Sequence, residues 1–205
     1  IKFKDVLAGE ILKSKRTFGY FISLLLPVAA TVVAAFIFFR IGFFYAGKGV
    51  NTWELYGTVF LTFYTFAFPL YIFIVTSLLI HIEGNSAGFK FLFTLPMPRE
   101  YLYLSKVVLT LYWLSVSFIL AYALFMVVGN TFSVLYPDMR LQEYNVNKIS
   151  TLFFLQLYIG CVGLLAIQAV LSIRFNNLIK PVGFGILLFI VGIFSFKLEY
   201  AYLFP

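Results

Sequence analysis

Four stretches of this sequence, residues 17–39, 55–80, 107–137 and 149–173, contain no charged side chain. Each exceeds the roughly 20 residues that a helix needs to cross a hydrocarbon core about 30 Å thick. Runs of that kind end up either inside a soluble core or inside a bilayer, and composition decides between the two. Hydrophobic residues make up 62% of the chain and charged residues 11%, with a mean hydropathy of +1.00. A soluble domain carries roughly a quarter charged residues and keeps about a third of its surface in water. A chain of 205 residues could not hide this much apolar area, so lipid must be its solvent. A soluble structural protein is excluded on the same ground.

A fifth apolar run, PVGFGILLFIVGIFSF at 181–196, is short and glycine-rich. Extended back through Leu178 and Ile179 it makes a fifth span. The expected fold is therefore an all-α integral membrane protein, one transmembrane domain over residues 1–205 with five transmembrane helices. Pro27 and Pro69 fall inside the first two spans, where they serve packing geometry or a hinge. A transmembrane β-barrel would need segments of about ten residues that alternate polar and apolar, and LLLPVAATVVAAFIFF does not alternate. The first run is longer than the core of a signal peptide and lacks a clear cleavage site after it. The abundant Phe and Tyr, 27 and 14 residues, suit lipid-facing and interfacial positions. Cys161 is the single cysteine, which excludes a disulfide within this chain and a four-cysteine metal site. His81 has no cysteine or second histidine near it in sequence, which argues against metal ligation.

Lysine and arginine set the orientation. With the N-terminus inside, segments 1–16, 81–106 and 174–180 carry ten of them, against five in 40–54, 138–148 and 197–205. The expected topology is multi-pass with a cytoplasmic N-terminus. Because the sequence starts at Ile1 without an initiator Met and stops at Pro205 after a hydrophobic segment, residues are expected beyond both ends and a sixth span beyond residue 205.

Segment 1–16, IKFKDVLAGEILKSKR, reads as an amphipathic helix in the inner interface. Phe3, Leu7 and Ile11 form one stripe, with Lys2, Asp5, Lys13 and Arg16 opposite. It is either an elbow that moves with the spans or a plain anchor. The net charge of +7 follows the inner-leaflet bias and gives no footprint for nucleic acid. The loop after the second span, residues 81–99, is richer. Gly84, Asn85 and Ser86 supply a turn and a helix start. Phe89, Leu92 and Phe93 then share a face, and Pro96 and Pro98 end the short helix. Arg99, Glu100 and Lys106 lead into the third span at headgroup level. The result is a short cytoplasmic helix whose aromatic face is offered either to a partner or to the bilayer.

The combination of Glu83 and Gly84, a short helix, Leu95 and Pro96 followed by Arg99, and then Ser105 and Lys106 resembles the membrane subunits of ABC-2-type permeases. The order of elements agrees over nearly the whole chain, from basic amphipathic helix through the SIRFNN stretch to the fifth span. Such permeases have six spans. The stretches GEILKSKRT and LPMPREYLYLSK are most similar to permeases of lantibiotic self-protection exporters of Gram-positive bacteria. The resemblance implies a place in the bacterial cytoplasmic membrane and expulsion of a cationic antimicrobial peptide. It also implies two cytoplasmic ATPase subunits and a second permease, identical or homologous. Export of another hydrophobic or amphipathic molecule would use the same scaffold.

No GxxxxGK(S/T) phosphate loop occurs, so no cofactor is expected on this chain and ATP and Mg belong to the partner. The chain is read as non-catalytic. The ATPase-coupling candidates are Glu83, Gly84, Phe89, Leu92, Phe93, Pro96 and Arg99. Glu83 either accepts hydrogen bonds at the junction or is a solvated carboxylate. Gln156 and Gln168, in the fourth span, are the intramembrane polar candidates, for interhelical packing or substrate contact. Glu54 faces the outer interface or an external cationic ligand. The rival readings are a membrane sensor or docking subunit and, more remotely, an intramembrane enzyme. The last would need ionisable residues at membrane depth, which the spans nearly lack.

Overall fold

The computed structural model describes residues 3–15, 17–45, 51–81, 99–137, 141, 147–175 and 177–195, with the side chains of 99, 102, 147–149 and 195 left aside. Its elements are helices: α1 (Phe3–Ser14), α2 (Phe18–Tyr45), α3 (Thr52–His81), α4 (Arg99–Leu135), α5 (Asn147–Arg174) and α6 (Ile179–Ser195). No strand occurs among the described residues, as expected of an all-α membrane protein. Four helices, Phe18–Tyr45, Thr52–His81, Tyr103–Leu135 and Ser150–Arg174, are long and apolar enough to cross a membrane. The fifth expected span is α6, whose 17 residues reach about 25 Å, somewhat less than a full hydrocarbon core.

Helix starts follow local chemistry. At α3 the Asn51 side-chain carbonyl accepts the Glu54 N–H at 3.1 Å, a cap on an otherwise orphaned donor. At α6 Asn177 does the same for Ile179 at 3.0 Å, and Pro181 falls in the first turn, where its missing N–H costs nothing. Between α1 and α2 the Thr17 N–H and hydroxyl both donate to the Ser14 carbonyl, at 3.0 and 2.7 Å. Helix α2 runs unbroken through Pro27 and α3 through Pro69. Helix α4 begins eight residues before the charge-free run, at Arg99 rather than 107.

The chain divides into two compact units, one made of Ile1–Ser23, Pro69–Ser115 and Gly160–Pro205, the other of Leu24–Phe68 and Val116–Ile159. The second unit is built on a column of rings. Tyr56, Phe60, Tyr64 and Phe68 recur every fourth residue of α3, each fully buried, because that spacing holds them on one helix face. They meet Phe125 of α4 at 4.8 Å from Tyr56 and 5.6 Å from Phe60, and Phe118 stacked at 3.8 Å on Phe68. Phe38 of α2 packs edge-on against Tyr56, and Phe154 of α5 against Tyr64. Each phenol in the column has a partner. Tyr56 donates to the Phe125 carbonyl at 2.5 Å, and the Tyr64 hydroxyl lies 2.7 Å from that of Thr31 and 3.3 Å from the Ala121 carbonyl. Aromatic abundance thus does more than face lipid, since the largest buried side chains are rings. Gly129 is needed here, because a Cβ would stand 2.5 Å from the Trp53 ring.

Lipid-facing surface is plain on α2, where Phe18, Phe21, Leu25, Val32 and Phe36 are all more than half exposed at helical spacing. So many large apolar side chains would not stand in water on a stable monomer.

In the first unit α6 approaches closely through Gly185, where a Cβ would lie 2.6 Å from the Phe73 ring and 2.9 Å from the Gln168 side-chain oxygen Oε1. Gly192 on the same helix has open space instead. Gly185→Ala is expected to lower stability by about 1–3 kcal/mol through overpacking, and Gly192→Ala to leave it unchanged. Thermal unfolding of the two purified variants in one detergent checks the contrast.

Candidate functional site

Buried polar side chains are uncommon at membrane depth and mark where a membrane protein does its work. Here they gather in one unit. Glu10, Ser14, Ser23, Thr76, Ser77, Ser105, Lys106, Thr110, Gln168 and Ser172 are buried in the first, against Thr31, Thr52, Ser117 and Ser150 in the second. The first unit also carries the end of α3 and the start of α4, the two helix ends that bracket segment 82–98.

Two groups of contacts organise it. The first joins α1 to α4. Lys106, about 3% exposed in its side chain, places its Nζ 3.6 Å from Glu10 Oε2, and Lys13 Nζ lies 3.3 Å from Glu10 Oε1. Lys106 also donates to the Leu79 carbonyl at 3.3 Å. That carbonyl belongs to the last turn of α3, where backbone acceptors lack helical partners and cations are favoured. Beside it Trp113 Nε1 donates to the Ser14 hydroxyl at 3.1 Å, and that hydroxyl donates to the Ile11 carbonyl at 2.8 Å. Glu10, Lys13, Ser14, Thr17, Leu79, Lys106 and Leu109 line a small crevice there.

The second group joins α3, α5 and α6. The Gln168 amide donates to the Pro181 carbonyl at 3.0 Å and the Ser77 hydroxyl at 3.1 Å, with the Phe73 carbonyl at 3.5 Å. Ser77 continues to the Ser172 hydroxyl at 3.1 Å. One turn on, His81 presents Nδ1 to the Ser77 carbonyl at 2.9 Å and Nε2 to the Phe175 carbonyl at 2.7 Å. A neutral imidazole can donate to one of these carbonyls, and an imidazolium to both. The α3 end that leads into segment 82–98 is therefore held from two sides, by Lys106 of α4 and by the end of α5.

Of the coupling residues read from sequence, Glu83, Gly84, Phe89, Leu92, Phe93 and Pro96 lie outside the described residues, as does Leu95. Arg99 opens α4 and is described by its backbone alone. Ser105 and Lys106 are buried, so Lys106, read from sequence as leading into the third span at headgroup level, is packed against protein. Its charge is kept from water because a carboxylate and a helix end meet it. Of the two glutamines, Gln168 is buried and bonded, whereas Gln156 is exposed on the chain taken alone. Glu54 is exposed in the first turn of α3.

Glu10 was not legible as a site residue. On the amphipathic helix the expected apolar stripe of Phe3, Leu7 and Ile11 is only half-buried, and the deepest positions are Glu10 and Ser14. Both follow Leu7 at helical spacings of three and seven, which was the available signal. Their partners on α4, Lys106 and Trp113, are far away in sequence.

The amide network has a direct test. Gln168→Leu removes both interhelical donors, and a loss of about 0.6–2 kcal/mol is expected from membrane hydrogen-bond energetics. Gln156→Leu is expected to be neutral. Unfolding in mixed micelles with increasing denaturing detergent measures both.

What this arrangement can do is grip helices and pass their displacements on. The family model described as ABC-2 family transporter protein matches residues 6–192. Comparisons with curated proteins and with solved structures found no match. A match over most of the chain, on a fold of long apolar helices with a polar cluster at one pair of helix ends, shows that this protein belongs to the ABC-2 transporter family, as a membrane permease subunit of an ABC transporter.

Proposed function

We propose that the chain is the permease of an ATP-driven exporter whose cytoplasmic ATPase subunits act on segment 82–98, with Glu83, Gly84, Phe89, Leu92, Phe93, Pro96 and Arg99 as the contact region. The observation that supports this most is the pinning of the α3 end that leads into that segment, by Lys106 of α4 at the Leu79 carbonyl and by His81 at the Phe175 carbonyl after α5. A push on the segment would reach α3, α4 and α5 together. ATP and Mg bind in the ATPase, and its closure biases the permease between conformations only by binding them with different affinity.

The rest of the reading follows the sequence. The N-terminus lies in the cytoplasm, the membrane is the bacterial cytoplasmic membrane, and a second permease, identical or homologous, completes the pathway. The cargo is a cationic amphipathic peptide of the lantibiotic kind, drawn from the lipid phase. Its support is the similarity of GEILKSKRT and LPMPREYLYLSK to lantibiotic self-protection permeases. Another hydrophobic or amphipathic molecule is the alternative cargo.

Phe89→Ala/Phe93→Ala is expected to abolish peptide-stimulated ATP hydrolysis by the co-purified complex in lipid while the permease still folds. ATPase assays with and without a cationic lantibiotic check this. Stimulation by a neutral amphiphile but not by the peptide would replace the cargo. A permease that brings no ATPase with it under conditions preserving the native complex would overturn the exporter reading in favour of a sensor or docking subunit.

A further inference from the structure

Helix α1 lies along the first four turns of α4 in matched order. Phe3 meets Tyr101 edge-on at 5.7 Å, Glu10 meets Lys106 at 3.6 Å, and Ser14 accepts from Trp113 at 3.1 Å. Tyr20, just after the turn into α2, packs edge-on against the same Trp113 at 5.0 Å. The contacts step along both helices in the same direction, so α1 is a splint on the part of α4 that emerges from segment 82–98. Apolar contact alone would let such a splint slide, because in a bilayer one apolar neighbour is nearly as good as another. A buried ion pair behaves differently, since moving α1 away would take the Glu10 carboxylate from Lys106 in a low-dielectric setting.

We infer that Glu10 and Lys106 are positioning residues for energy coupling, making α1 and the first turns of α4 one mechanical element that carries ATPase movement into the amphipathic helix. This rests on the exporter reading for the source of movement, while the lock itself is a property of the permease. The geometry also gives each residue its task. Lys106 reaches Glu10 on one side and the Leu79 carbonyl on the other, so α1, α3 and α4 share a single cation. Lys13, more than half exposed, contacts the other carboxylate oxygen from α1 itself and holds Glu10 in the orientation that faces α4.

The test labels α1 and α4 with spin probes at Ala8→Cys and Leu104→Cys in a Cys161→Ser background and reads their distance distribution in lipid nanodiscs. It is read first in the permease alone, then in the complex with its ATPase, with and without trapped ATP. The unaltered pair is expected to give one narrow distance that ATP does not change. Glu10→Gln or Lys106→Met should broaden it, and the exchanged pair Glu10→Lys/Lys106→Glu should narrow it again. In the complex, each single variant should lose about fivefold or more of substrate-stimulated hydrolysis while the ATPase still co-elutes, and the exchange should recover it. If Lys106→Met fails to fold, Glu10→Gln, which keeps side-chain shape, carries the comparison. Narrow distances in folded single variants, or an exchange that folds and restores neither readout, would overturn the inference. Absence of an ATPase partner would sink the exporter reading and leave the permease-only distances to decide the lock.

Discussion

Inside a bilayer no water is available for a polar group that loses its protein partner, and this constraint organises the whole chain. It makes helices the only way to carry these apolar runs across, and it makes every buried hydroxyl, amide and ammonium an obligation. Among the described residues the Trp53 indole N–H and the Thr76 hydroxyl are left without a hydrogen bond, and the other obligations are met differently in the two units. In one unit they are met by hydroxyls at the rim of an aromatic column, Tyr56 to the Phe125 carbonyl and Tyr64 to Thr31. In the other, side chains from distant parts of the sequence satisfy the open carbonyls of helix ends, Lys106 at Leu79 and His81 at Phe175. A helix end tied in this way cannot shift without its partner shifting too.

That difference gives the two units different mechanical character. Rings packed at i, i+4 spacing make a dense, nonpolar seam that resists compression, because interiors at crystal-like density pass strain on rather than absorb it. Ion pairs and amide forks are directional and tie named atoms together, with energies that vanish when geometry is lost. A transporter needs both, a stiff body and a set of joints that register movement. The proposed entry point for that movement, segment 82–98, opens from the polar unit, between α3 and α4.

Much of this could be read from sequence. The four long spans followed from missing charges, since a 20-residue apolar run can do little else, and α1 followed from its periodicity. The beginning of α4 could not be read in the same way. Arg99, Glu100 and Lys106 read as the entry to the third span, but not as part of its helix, which includes all three, nor did Lys106 read as a buried cation facing a carboxylate. Pairing of that kind is invisible along the chain, as α2 and α3 lie between Glu10 and Lys106 in sequence. Gln156 and Gln168 were indistinguishable by type and span, and only packing turns one inward and leaves the other exposed. The aromatic column could have been seen from the spacing of Tyr56, Phe60, Tyr64 and Phe68, but composition alone pointed those rings at lipid.

The central claim is that a cytoplasmic engine acts on this permease through segment 82–98, and sidedness tests it most directly. Single cysteines placed in 82–98, in 46–50 and in 138–146, in a Cys161→Ser background, are labelled with a membrane-impermeant maleimide in intact cells and in inverted vesicles. The account predicts that 82–98 reacts only in inverted vesicles and that 46–50 and 138–146 react only in intact cells. Labelling of 82–98 from outside the cell would place that segment beyond the reach of any cytoplasmic ATPase and would contradict the account.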